Sequence, residues 1–265
     1  MVNSSITIYT LPCLSDNYAY VIHNRATGTA AVVDVPEAGP LVDKISQLNL
    51  SVTDIFLTHH HWDHIDGLPD LQAALTGSLG QSRARVIGAK ADSHRLPALD
   101  QAVGPGDRVT LCGIEGDIYD VSGHTLGHLA LHLPSAKAVF SADSLMAMGC
   151  GRLFEGSAVQ MWHSLQQFRS LAPDTWVYSG HEYTATNMAF TQSLGEDNPA
   201  IAARAAQITK DRAAGQATVP SLLALELQTN PFLRADNPAL QAAVGMPGAT
   251  AEQVFTEIRS RRDKF

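Results

Sequence analysis

Cysteine is scarce in this chain: Cys13, Cys112 and Cys150 are an odd number, widely spaced, among 265 residues. That excludes a disulfide framework and fits a reducing cytoplasm. No apolar run approaches the roughly 18 residues of a membrane-spanning helix, so none is expected. The opening Met1-Val2-Asn3-Ser4-Ser5 has neither basic residues nor a following apolar stretch, so no secretory signal is expected there. Basic residues are outnumbered, 18 Lys and Arg against 26 Asp and Glu, for a net charge of -8. Broad affinity for nucleic acid or anionic membrane is thereby disfavoured, although a local basic patch stays compatible. No internal repeat or low-complexity tract is present. What remains is the composition of an ordinary soluble globular protein, 45% apolar and 17% charged. It is long enough for one large domain or a main domain with an appendage.

The first two thirds read as short strands joined by turns, with a few helices. Ile6–Tyr9 alternates, and Tyr18–Ile22 and Ala30–Asp34 flank a turn at Asn24–Gly28. Leu41, Ile45 and Leu48 share a face of an expected helix over Gly39–Leu48. Further strands are expected at Asp54–Thr58, Ala84–Gly88, Arg108–Cys112, Asp117–Val121, Leu129–Leu133, Lys137–Ser141 and Thr175–Ser179. Helices are expected over Asp66–Thr76 and Ala158–Leu171, the second with Trp162, Leu165 and Phe168 at helical spacing. After His181 the pattern turns helical: Pro199–Ala214 behind an Asn198 cap, Thr218–Thr229, and Ala251–Arg261, with no strand expected. This gives a strand-and-helix domain over residues 1–180 and a helical one over 181–265.

The most informative stretch is Thr58-His59-His60-His61-Trp62-Asp63-His64, directly after the apolar Ile55-Phe56-Leu57. Packing has no use for four histidines and an aspartate in six residues; imidazole and carboxylate together are ligands for a divalent metal. One short loop cannot complete the shells of two ions. His124, Asp143 and His181 each follow a strand-like segment and can converge on it along a sheet edge. A shared carboxylate and a bridging hydroxide would hold two ions about 3.5–4 Å apart, a recurrent hydrolytic arrangement. Neutral imidazoles leave the ions' charge in place, which draws the pKa of a bound water toward 7. His23, His94, His132 and His163 read as ordinary residues and His128 as structural. His60 is expected to orient the loop, Trp62 to fill space behind it, and Asp34 to accept a hydrogen bond from a ligand histidine.

On the His-x-His-x-Asp-His pattern of His59, His61, Asp63 and His64 the chain resembles the metallo-β-lactamase superfamily. It resembles the glyoxalase II family (hydroxyacylglutathione hydrolases) more specifically. The narrower likeness rests on Cys150-Gly151-Arg152-Leu153-Phe154-Glu155-Gly156, Gly180-His181-Glu182-Tyr183-Thr184, Asn230-Pro231-Phe232-Leu233-Arg234 and the terminal Arg259–Phe265. The resemblance implies a four-layer αββα sandwich with a C-terminal all-helical domain. It implies one ion on His59, His61 and His124, a second on Asp63, His64 and His181, and Asp143 bridging, with Asp63 and Asp143 as the catalytic carboxylates. The implied metal is zinc, with iron or manganese as variants. Tyr183, Arg152, Arg259 and Arg262 are implied to hold glutathione, the last two at its glycine carboxylate.

Three positions depart from the family pattern: Phe154 where a tyrosine is frequent, Arg262 for a lysine, and Asp66 where a small residue is commoner. Asp66 is read as the cap of the following helix, and Cys150 as structural.

The implied reaction is hydrolysis of S-(2-hydroxyacyl)glutathione thioesters, chiefly S-D-lactoylglutathione, by the bridging hydroxide. The chain is expected to be a cytoplasmic monomer with a small-molecule substrate and neither nucleic acid nor membrane as partner. The alternatives are another thioesterase, lactonase or β-lactamase of the superfamily, a one-iron sulfur dioxygenase, an RNA phosphodiesterase, and a non-catalytic binding module. The C-terminal likeness disfavours the first group, the complete second ligand set disfavours the dioxygenase, and the presence of all seven ligands disfavours the binding module. The acidic balance disfavours the RNA enzyme.

Overall fold

The computed structural model describes residues 5–265; the four residues before Ser5, part of the stretch read for a leader, lie outside the described residues. By compactness the chain forms two units, Met1–Asp120 with Gly127–Phe140, and Val121–Leu126 with Ser141–Phe265.

The first unit carries a six-stranded sheet in sequential order: β1 (Ile6–Cys13), β2 (Asn17–Asn24), β3 (Thr29–Val33), β4 (Ser51–Phe56), β5 (Arg85–Ala89) and β6 (Gln101–Val103). β1, β2 and β3 pair antiparallel, whereas β3 to β6 run parallel. Parallel neighbours need crossovers, and helices supply them. α1 (Gly39–Leu48) links β3 to β4, while α2 (Trp62–Ile65) and α3 (Leu68–Thr76) lie between β4 and β5. α1 has Pro40 in its first turn, buries Leu41 and Ile45, and ends on Asn49 in the left-handed region at φ 48°. β2 and β3 are nearly continuous buried apolar runs, as central strands require.

The second sheet comprises β7 (Arg108–Leu111), β8 (Ile114–Asp120), β9 (Leu129–Leu133), β10 (Ala138–Ala142), β13 (Trp176–Ser179) and β14 (Ser221–Leu222), in the order β14-β13-β10-β9-β8-β7. A small hairpin of β11 (Leu145–Met146) and β12 (Gly149–Cys150) follows β10. Besides β13, β14 and this hairpin, the second unit is helical: α4 (Ala158–Arg169), α5 (Thr184–Ser193), α6 (Pro199–Ala213), α7 (Leu223–Thr229), α8 (Pro238–Ala243) and α9 (Ala251–Lys264). Ser157 caps α4, Asn198 caps α6, and Thr250 with Gln253 forms a capping box on α9.

Two sheets with flanking helices and a helical C-terminal region agree with the expected fold class. Four local expectations need correction. Residues 218–229 are not one helix. Pro220 restrains Val219, Ser221–Leu222 pairs with Trp176–Val177, and the helix starts only at Leu223. A strand therefore does lie beyond His181. Asp66 does not cap the following helix: it ends α2, and Gly67 precedes α3 with no side-chain cap. Trp62 does not fill space behind the loop, because it is 63% exposed.

Candidate metal centre

In the first unit the ligand loop grows out of β4. Leu57 and Thr58 continue the strand into the core, fully buried, and His59 follows at 0% exposure. His61 is still extended, at φ -63° and ψ 141°, and the chain then turns into the single helical turn of α2, which carries Asp63 and His64. One side chain organises this loop. Asp34, just past β3, adopts φ 56°, a left-handed conformation that aspartate tolerates better than most residues. Its Oδ1 accepts from Thr58 N at 2.9 Å, and its Oδ2 from Thr58 Oγ1 at 2.8 Å. His64 Nδ1 lies 2.8 Å from the same Oδ2, and His59 Nδ1 3.0 Å from Thr58 Oγ1. Since the Thr58 hydroxyl donates to Asp34, the His59 contact must be Nδ1–H donating to Thr58. Both rings thus carry their proton on Nδ1 and offer the Nε2 lone pair. Asp34 was the expected acceptor; the relay through Thr58 to a second ligand was not foreseen.

His60 points elsewhere. Its Nδ1 meets Asp92 Oδ2 at 3.1 Å, and Asp92 Oδ1 accepts from Arg95 at 2.6 Å. Asp92 is 2% exposed and packs on Gly127, where any side chain would collide: a Cβ would lie 2.2 Å from the Asp92 carboxyl carbon. The orienting role expected of His60 is thus anchored on Asp92. His128 is buried and stacks on His59 with ring centroids 4.6 Å apart. Asp63 is held by Asn17, whose Nδ2 donates to Asp63 O at 2.9 Å and to Asp63 Oδ2 at 3.0 Å.

In the second unit His124, Asp143 and His181 come together, 4%, 5% and 4% exposed. β10 ends one residue before Asp143, and β13 two residues before His181. Gly180 N donates to Ala142 O at 3.0 Å, which ties the two strand ends together. Asp143 Oδ2 lies 3.3 Å from His124 Nε2 and 3.3 Å from His181 Nε2. His124 Nδ1 donates to Arg152 O at 2.8 Å, so this ring too presents Nε2. Gly151 makes that turn possible, because a Cβ there would sit 1.9 Å from the Asp143 carbonyl oxygen.

The substrate candidates also lie in this unit. Tyr183 stacks on His181 at 4.6 Å and 5°, and Phe154 meets His124 edge-on at 5.2 Å, 60% exposed. The Arg152 side chain is largely exposed, with Nε 3.8 Å from Asp263. Arg262 is half-buried over the Phe190 ring, and its Nη2 donates to Asn187 Oδ1 at 3.3 Å. Burial, then the charges of Arg259 and Arg152, pull its pKa below the ordinary value. Arg259 differs. It is 5% exposed and donates to Cys150 O at 3.1 Å and to Asp263 at 2.9 Å. Its buried Nε has no hydrogen-bond partner among the described residues. Burial pushes the Cys150 thiol up, which keeps it neutral and suits its expected structural role.

His59, His61, Asp63 and His64 in the first unit, and His124, Asp143 and His181 in the second, are candidate donors for a metal ion. The donor set fits a divalent ion by its chemistry. It joins imidazoles with carboxylates, and His59, His64 and His124 have their second nitrogen engaged, as metal-bound imidazoles do. Sequence reasoning missed Asn17 and Asp92, which lie 46 and 32 residues from the side chains they hold.

Comparison with known proteins returns two families: "Hydroxyacylglutathione hydrolase C-terminus" over residues 182–265 and "Metallo-beta-lactamase superfamily" over residues 15–80. A hydroxyacylglutathione hydrolase of Ruegeria pomeroyi is 54% identical over 98% of this chain and 99% of its own. One of Jannaschia sp. is 54% identical over 97% and 98%. Among solved structures, the B3 metallo-beta-lactamase BLEG-1 superposes with TM-score 0.64 at 18% identity, over 86% of this chain and 99% of its own. ETHE1 from Myxococcus xanthus does so with TM-score 0.63 at 23% identity, over 96% and 90%. These two likenesses establish the αββα metallo-β-lactamase fold.

Proposed function

Because the chain belongs to the hydroxyacylglutathione hydrolase family, we propose that it hydrolyses S-(2-hydroxyacyl)glutathione thioesters. The chief substrate is S-D-lactoylglutathione; the C–S bond breaks, a C–O bond to water forms, and glutathione and D-lactate are released. The observation that carries the chemistry is Asp143 Oδ2, equidistant at 3.3 Å from His124 Nε2 and His181 Nε2. One carboxylate oxygen facing two imidazoles suits a ligand shared by two ions. On this reading His59, His61 and His124 hold one ion, Asp63, His64 and His181 hold the other, and Asp143 serves both. Zinc suits these nitrogen and oxygen donors, and iron or manganese can replace it. Bound ions of this kind supply water ionised near neutral pH and a Lewis acid for the thioester carbonyl.

The chain's own groups do the rest. Asp34 and the Arg152 carbonyl fix the ligand tautomers. Arg152, Tyr183, Arg259 and Arg262 take the glutathione moiety, with guanidinium groups suited to its carboxylates. Residues 1–180 form the catalytic domain and 181–265 the substrate-binding one. No cysteine nucleophile is required. The chain works as a monomer in the cytoplasm; its three free, buried cysteines suit the reducing compartment.

The test is steady-state turnover by metal-analysed protein of S-D-lactoylglutathione, a lactone, a β-lactam and glutathione persulfide. We expect about two ions per chain and a kcat/KM for the glutathione thioester at least about 10³ above the others, roughly 4 kcal/mol of transition-state discrimination. Equal or better turnover of another substrate would replace this reading with one of the alternatives. Full activity with a single ion would remove the dinuclear assignment.

A further inference from the structure

We propose that Asn17 is a positioning residue for Asp63, setting the affinity of the ion that Asp63 and His64 share. The inference rests on the two-ion reading above and adds a residue to it. Asn17 is the first residue of β2, immediately after the turn in which Leu14 adopts φ 49°. It is a buried polar side chain, 4% exposed, in a strand otherwise made for the core. A buried amide must find partners, and this one spends its donors on a single residue: Asp63 O at 2.9 Å and Asp63 Oδ2 at 3.0 Å.

Two bonds to one residue fix both its backbone and its carboxylate plane. The oxygen that accepts from Asn17 is also the one 4.0 Å from His64 Nε2. Asn17 therefore turns the carboxylate toward the nitrogen with which it is to share an ion. α2 has only four residues, too short for its own ladder to fix Asp63. The anchor comes instead from a sheet strand 46 positions away.

The choice of amide matters. A lysine or arginine at this position would also orient the carboxylate, but it would compete with the metal for its charge. A neutral N–H donor orients without neutralising, which is the property a support for a metal ligand needs. Asn17→Asp keeps the shape and replaces the donor by a second carboxylate about 3 Å from the first, where like charges repel. Asn17→Ala removes the contact and adds no charge.

The experiment equilibrates metal-stripped parent, Asn17→Asp, Asn17→Ala and Asp63→Ala with zinc buffered by a competing chelator. Ions per chain, the two dissociation constants and the melting temperature of each metal-free form are measured, and then kcat/KM. The parent should take two ions. Asn17→Ala should bind the ion that Asp63→Ala loses about 10–100-fold less tightly, Asn17→Asp should change its affinity for that same ion, and both should keep the other ion at parental affinity. Added zinc should restore turnover in Asn17→Ala but not in Asp63→Ala. Parental affinity for both ions in both variants would overturn the proposal. Equal weakening of both ions, with a matching drop in metal-free melting temperature, would also overturn it by showing a purely structural asparagine. A parent that binds one ion with full activity would overturn the dinuclear reading and this inference together.

Discussion

A single carboxylate orients two of the proposed metal ligands, and it does so from outside the motif that announces them. Asp34 reaches His64 directly and His59 through Thr58. Asp34→Ala should therefore loosen both rings and weaken zinc binding about 10–100-fold, as chelator competition will show; unchanged affinity would make Asp34 a folding residue only. Asp143 is the more severe site, because it faces His124 and His181 at once. Asp143→Ala should lower kcat by at least about 10³, on the order of 4 kcal/mol. Rates within tenfold of the parent at matched metal content would contradict a shared ligand. Residues of this kind were readable in the sequence when they cluster locally, as His59, His61, Asp63 and His64 do. His124, Asp143 and His181 were readable because each follows a strand-like run. Asn17 and Asp92 were not: an asparagine beside Ser15-Asp16 reads as turn chemistry, and nothing local marks its partner 46 residues on.

At the scale of elements, the helices with both an apolar stripe and a cap were legible to within a few residues. α1, α4, α6 and α9 are of this kind. α5 was not read, since TATNMAFTQS mixes polar and apolar residues on every face, nor was the hairpin β11–β12, whose two-residue strands carry no periodicity. α9 also separates two arginines that look alike in sequence. Arg262 lies over Phe190 with one donor on Asn187, whereas Arg259 is buried and satisfies the Cys150 carbonyl. Arg262→Ala should raise KM for S-D-lactoylglutathione about tenfold or more, the scale of a charge-assisted hydrogen bond, with kcat nearly unchanged. Arg259→Ala should raise KM and also cost roughly 2–4 kcal/mol of stability, because a buried carbonyl loses its donor. Denaturant unfolding alongside kinetics separates the two. Equal stability of the variants would show that Arg259 is no more structural than Arg262.

For the whole molecule, the buried titratable groups set the alkaline limit of stability. Burial pushes the Cys13 thiol from 9.0 to about 11, with Glu37 adding to it, and the Cys112 thiol from 9.0 to about 12, with Asp54 adding to it. Burial alone raises the Tyr178 phenol from 10.0 to about 12. All three are neutral in the folded chain and ionise earlier when it unfolds. Above pH 9 the unfolded state therefore binds fewer protons than the folded one, and stability falls as pH rises. The contribution is fully present below the unfolded pKa values and is lost between about pH 9 and 12, by roughly 1.4 kcal/mol per pH unit for each group in its window. Denaturant unfolding at fixed metal loading should thus give a flat stability from pH 7 to 8.5 and a steepening loss from pH 9. Cys112→Ala should reduce that slope by about one proton while leaving the plateau lower, since it also removes a buried side chain. An unchanged slope in Cys112→Ala would mean that this thiol is open to solvent in the folded chain. A parent stability flat through pH 10.5 would mean the same for both thiols.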